Sequence, residues 1–148
     1  MANYAAQFNR TASATLALGA VVANATTPRR GGLYDYKLGS EAAAADNNYL
    51  YTIDRVSGVP AGTGITLPPL DPADAAALAS GIEALSGNGT VGLNVDAIPL
   101  NQRATFRSAA SPGGQIIWPA TAGNGLLVQT PTAGGLVAIT GMWHFEEK

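Results

Sequence analysis

An all-β, antiparallel, jelly-roll-like β-sandwich with one short helix and an extended N-terminal arm is the fold class that this 148-residue sequence predicts. Three observations carry the prediction. From Leu33 onward, apolar residues recur with a period of two in short runs bounded by Gly, Pro and Asn. Only one window carries helix signals, so strands do not alternate with helices in the βαβ manner. No internal repeat is evident, which argues against propellers and solenoids. The length suits a single domain, with about 70% of the unfolded chain's surface buried on folding.

The expected organisation is an arm over residues 1–27 and a sandwich over residues 28–148. The first segment resembles a secretory signal, with Arg10, an apolar stretch over residues 16–22 and then Ala23-Asn24-Ala25. The stretch is short, broken by Gly19 and preceded by one basic side chain, so an uncleaved arm is the expectation. It is too short to span a bilayer, which takes about 20 apolar residues. Deleting residues 1–25 is accordingly expected to leave the sandwich folded.

The strands follow in order. In LYDYKL, Tyr34, Tyr36 and Leu38 share one face and Leu33, Asp35 and Lys37 the other; in YLYTIDRV, Tyr49, Tyr51 and Ile53 share a face. An Ala-rich link joins these two strands, whose tyrosines are expected in the core. TVGLNVDA sets Val91, Leu93 and Val95 against Gly92, Asn94 and Asp96, and it follows Asn88-Gly89, a hairpin-type pair. This run reads as a half-buried strand. RATFRSA opposes Arg103, Thr105 and Arg107 to Ala104 and Phe106, and QIIWP and GLLVQT are shorter runs parted by ATAGNG. The last run directs Val137, Ile139, Trp143 and Phe145 one way and Ala138, Thr140, Met142 and His144 the other, and its length predicts a central place in a sheet. The helix window is DPADAAALASGIEAL: Asp71 is a good N-cap, Pro72 suits the first helical position and Asp74 complements the positive helix end.

Composition narrows the chemistry. Cysteine is absent, so neither disulfides nor thiolate metal sites can form. Charged residues are 12% of the chain, about half the usual share, and the formal net charge is −2. Nucleic-acid binding, which needs clustered Lys and Arg, is not expected. A weakly charged surface of small residues suits packing against other protein. The one histidine, His144, has no evident acid partner along the sequence, and the Ser111 SPGG stretch is a turn rather than a nucleophile elbow. Asp46 to Asn48 and Asp71 to Asp74 lack the spacing of a calcium loop. The acids Asp35, Glu41, Asp46, Asp54 and Asp96 lie mostly beside turns, and sequence does not set any two across a cleft. GTGITLP lacks the third glycine and following helix of a dinucleotide fingerprint. No catalytic, cofactor or metal site is therefore expected.

TTPRRGGLYDYKLGSEAAAADNNYLYTIDRVSG, GTGITLPPLDPADAAAL, GNGLLVQTP and the terminal MWHFEE together resemble small jelly-roll virion proteins of tailed bacteriophages, the capsid decoration or cement proteins. The resemblance covers most of the chain beyond residue 26 and rests on structural punctuation. It implies a homotrimer on the outer surface of the capsid, bound to the major capsid protein and to itself, with no cofactor and no membrane. Aromatics and Arg dominate interface energetics, so Tyr4, Phe8 and Arg10 are the expected capsid anchors on the arm. Arg29 and Arg30 are expected to make polar contacts where the arm leaves the body, and Arg103 and Arg107 join the candidate interface. The competing expectation is a carbohydrate- or receptor-binding sandwich of a phage tail or adhesin, which needs an exposed aromatic platform built from Tyr34, Tyr36, Trp118 or Trp143.

Overall fold

The computed structural model describes residues 1–11, 13, 15–41, 44–131 and 137–148. Eleven strands occur among them: β1 (Ala2–Thr11), β2 (Gly19–Val22), β3 (Gly31–Ser40), β4 (Asn48–Ser57), β5 (Ala61–Ile65), β6 (Ser80–Gly87), β7 (Thr90–Asn101), β8 (Thr105–Ala109), β9 (Ile116–Trp118), β10 (Gly125–Gln129) and β11 (Ala138–Glu147). They form two antiparallel sheets. One runs β1-β11-β3-β8, with β9 also on β3, and the other runs β5-β6-β2-β10-β4-β7. The chain is all-β and sandwich-like, as its period-two runs predict. Of the Ala-rich link between β3 and β4, Ala42 and Ala43 lie outside the described residues.

Residues 1–27, expected as an arm, instead supply a strand to each sheet. β1 pairs along its whole length with β11, from Ala2 opposite Glu147 to Thr11 opposite Ala138. Its alternation turns Tyr4, Ala6 and Phe8 into the core, while Gln7 and Asn9 face out. β2 lies between β6 and β10, and all four of its residues are buried. That explains its continuous apolar run: Val21 packs into the main core, while Ala20 and Val22 join a second cluster with Val56, Ile82, Leu85 and Leu127. A strand covered on both faces loses the period-two signature and imitates a signal-peptide core. Both sheets are thus built across the expected 27/28 boundary.

The expected helix is absent too. Asp71 does act as a local cap, its Oδ1 accepting the Ala73 N–H (2.9 Å) and its carbonyl the Asp74 N–H (3.0 Å). The turn stops there. Residues 66–79 run as an irregular strap along β1, and the second half of the window, from Ser80, becomes β6 between β5 and β2. Helices this short are marginal on their own, whereas pairing with β2 buries Ile82 and Leu85.

The main core holds most of the aromatics. Phe8 meets Trp143 edge-on (5.1 Å between centroids), Tyr4 stacks on Phe145 (5.5 Å) and Trp118 tilts against Phe145 (5.6 Å). Tyr49, Tyr51 and Ile53 are buried together, β11 directs Ile139, Trp143 and Phe145 inward from a central position, and Val137 just ahead of it is buried too, all as expected. β3 departs from strict alternation. His144 pairs with Asp35 and the next residue, Phe145, with Leu33, so Tyr34 is an extra residue in a β-bulge. The bulge puts Leu33 on the same side as Tyr36 and Leu38 and leaves Tyr34 only half-buried, outside the core.

Candidate interaction surface

The seven residues expected at an interface do not form one patch. Tyr4 and Phe8 are core residues, and the Tyr4 hydroxyl donates to the Ala75 carbonyl at 3.1 Å, tying the strap to β1. Their alternation on a paired strand is what hides them. Arg10 is spent internally: its Nη1 donates to the carbonyls of Ala17 (3.2 Å) and Leu85, joining the end of β1 to the other sheet. Arg29 and Arg30 are exposed ahead of β3, where the Arg30 carbonyl accepts the Lys148 N–H (2.8 Å). Arg103 is exposed in the β7–β8 turn, its N–H capped by Asn101 Oδ1 at 2.9 Å.

Arg107 belongs to an ionic cluster that the sequence does not reveal. β8, β3 and β11 are neighbours, and they bring Arg107, Asp35 and His144 together on the outer face of their sheet. Arg107 grips Asp35 with two parallel bonds, Nε to Oδ1 and Nη2 to Oδ2, both 2.9 Å. His144 Nδ1 lies 3.1 Å from the same Oδ2. His144 therefore has an acid partner after all, supplied across strands rather than along the chain. The Arg107 hydrogen bonds hold the Asp35 carboxyl below its ordinary range against the opposing effect of burial, with a further contribution from His144. The Tyr34 ring lies beside the imidazole, with centroids 6.3 Å apart. Both Asp35 oxygens are engaged by the guanidinium and one also meets His144, so the cluster acts as a clip across three strands. No group of three or more His, Asp or Glu side chains suited to a metal ion occurs among the described residues.

A second polar network shapes the far side of the sandwich. Asp54, buried on β4, accepts from Thr52 Oγ1 (2.8 Å), Gln129 Nε2 (2.6 Å) and Asn94 Nδ2 (3.0 Å). Asn94 also donates to the Asp96 carbonyl at 3.0 Å, and the Tyr36 hydroxyl donates to the Asp96 carboxylate. Burial, with Asp96 adding to it, pushes Tyr36 up to about 12. These bonds pin β7 at Asn94 and Asp96 while its register slips. Asn94 stands opposite Asp54 and Val91 opposite Val56, so Gly92 and Leu93 together face Arg55.

The consequence is an apolar rim that the sequence places inside the protein. β7 is the last strand of its sheet, and the bulge turns Leu93 outward at 79% exposure. Val91 is 38% exposed and Val59, past the end of β4, is 53% exposed. The alternation of Val91, Leu93 and Val95 is real, but an edge strand with a bulge does not bury it. Beside Leu93 lies a hollow of about 310 Å³ lined by Val56, Gly92, Pro119 and Asn124. Arg55 closes it off from the other sheet by donating to the Ile117 carbonyl at 2.6 Å. Asn88-Gly89 does not close a hairpin either: β6 and β7 sit at different places in the sheet, and the Asn88 side chain instead accepts the Ala17 N–H at 2.7 Å.

No protein-family model matches the chain, and no curated protein matches it.

Proposed function

We propose that the chain is a structural virion protein of a tailed bacteriophage, binding as a homo-oligomer to the major capsid protein on the outside of the capsid. A jelly-roll reading is supported by the strand orders β1-β11-β3-β8 and β2-β10-β4-β7, to which a β5-β6 hairpin on β2 and the short β9 on β3 are added. Jelly rolls serve viral capsids, lectins and cupins alike, so the fold alone does not choose. The observation that carries the reading is the apolar rim of Val59, Val91 and Leu93 on a weakly charged body. Such a rim suits a protein that spends its life against other protein. With β1 and β2 built into the two sheets, attachment runs through the body and its edges rather than through a free arm.

A carbohydrate- or receptor-binding module has less support, because sugars stack on exposed rings. Tyr36, Trp118 and Trp143 are buried, Tyr34 and Phe106 are half-buried, and among the described residues no aromatic platform faces outward. The test of the capsid reading is co-sedimentation with assembled capsids: saturable binding at micromolar concentration is expected, and no binding overturns it.

A further inference from the structure

Among the described residues, both ends of the six-stranded sheet are bare, since β5 pairs only with β6 and β7 only with β4. In the other sheet β8 and β9 pair only with β3, but the opposite end is covered. Its β1 edge is covered by the strap, through the Ala5 N–H to the Pro68 carbonyl (3.0 Å) and the Leu70 N–H to the Asn3 carbonyl (2.7 Å). The chain seals that edge by itself and leaves β5 and the start of β7 open. Neither open stretch carries a charged side chain: AGTGI has none and is exposed over its first four residues, and TVGLN has none over its exposed length. Unpaired N–H and C=O groups on such an edge are a template for another strand.

The two edges also match each other. Every pairing in the sheet is antiparallel and the strand number is even, so β5 and β7 run in opposite directions. A second copy set alongside in the same orientation therefore continues the antiparallel alternation without a break. The levels agree as well. The ladder runs straight across from Gly64 through Ile82, Ala20, Leu127 and Asp54 to Asn94. Gly64 of one copy thus meets β7 of the next beside the Leu93 bulge. The flanks carry charges of opposite sign, with Arg103 exposed in the β7–β8 turn and Asp71 exposed on the strap that runs along β1.

We propose that copies of this chain associate head to tail, the β5 edge of one pairing with the β7 edge of the next to extend the six-stranded sheet. The contact is heterologous, so it closes into a ring when the rotation between copies permits. This deepens the homo-oligomer part of the reading above and rests on it.

The chain has no cysteine, which makes the test clean. A Cβ at Gly64 meets nothing within 4 Å, and Leu93 is exposed, so Gly64→Cys and Leu93→Cys both leave the fold intact. Each variant alone, and the two mixed, are treated with a short bismaleimide and run under denaturing conditions. Covalent dimers from the mixture and none from either variant alone are expected. Leu93→Cys dimerising with itself as well as in the mixture overturns head-to-tail pairing in favour of a two-fold β7 contact. Absence of dimers while the unmodified protein has an oligomer's mass overturns the edge pairing and leaves self-association standing. A monomeric mass for the unmodified protein overturns both, and capsid co-sedimentation of that monomer then decides the capsid reading separately.

Discussion

Gly19 shows how one residue without a side chain holds the sandwich closed. A Cβ there would fall inside the Phe8 ring, so the close approach of β2 to β1 requires glycine. Gly19→Val should cost about 1–3 kcal/mol through overpacking, and Phe8→Ala about 3–5 kcal/mol through the cavity it leaves. Chemical denaturation of each variant measures both. Asp35 sets the acid limb of stability. Its carboxyl titrates below the ordinary value of 3.8 because Arg107 and His144 bond its ionised form. A depressed folded-state pKa contributes stability in full above the ordinary value and loses it as pH falls through the folded value. Asp35→Asn should therefore lower stability at neutral pH by about 1–3 kcal/mol and flatten the decline in acid. Melting temperatures taken from neutral pH downward check this; an unchanged acid limb would mean that the clip contributes nothing.

At the level of elements, β1 and β2 decide whether the sandwich exists. Deleting residues 1–25 removes an edge strand of one sheet and an inner strand of the other, with Tyr4, Phe8 and Val21 from the core. The sequence-based expectation of a tolerated deletion is thus replaced by its opposite: loss of cooperative unfolding, visible in a thermal scan. A sharp transition in the truncated chain would return these residues to the status of an arm. The strands whose faces are readable from sequence, β4, β8 and β11, are those with no inserted residue of their own, the extra residues of the bulges lying in β3 and β7. Period two is misleading where the local backbone breaks it or the neighbours change its meaning. Tyr34 is displaced by a bulge that no residue type announces, β2 is buried on both faces, and β6 takes the second half of a helix window because pairing outweighs local propensity. The candidate surface was the least readable feature. Leu93 has the pattern of a core residue, and only the strand order makes β7 an edge. The Arg107, Asp35 and His144 clip likewise depends on pairing between residues up to 109 positions apart.

For the whole molecule, the sandwich has one edge covered by the strap and two bare ends on the larger sheet, with most of its aromatics turned inward. Leu93→Lys should leave the melting temperature within about 0.5 kcal/mol equivalent of the parent, as exposed positions allow. It should also shift the solution mass toward the monomer, which light scattering coupled to size exclusion reads directly. A destabilised Leu93→Lys would show instead that the rim is part of the core. As proposed, the protein is a self-associating layer on a capsid. Co-sedimentation with assembled capsids, combined with solution mass on the same preparation, tests it most directly: an oligomer that binds to saturation at micromolar concentration is the predicted result, and a strict monomer that stays in the supernatant would contradict it.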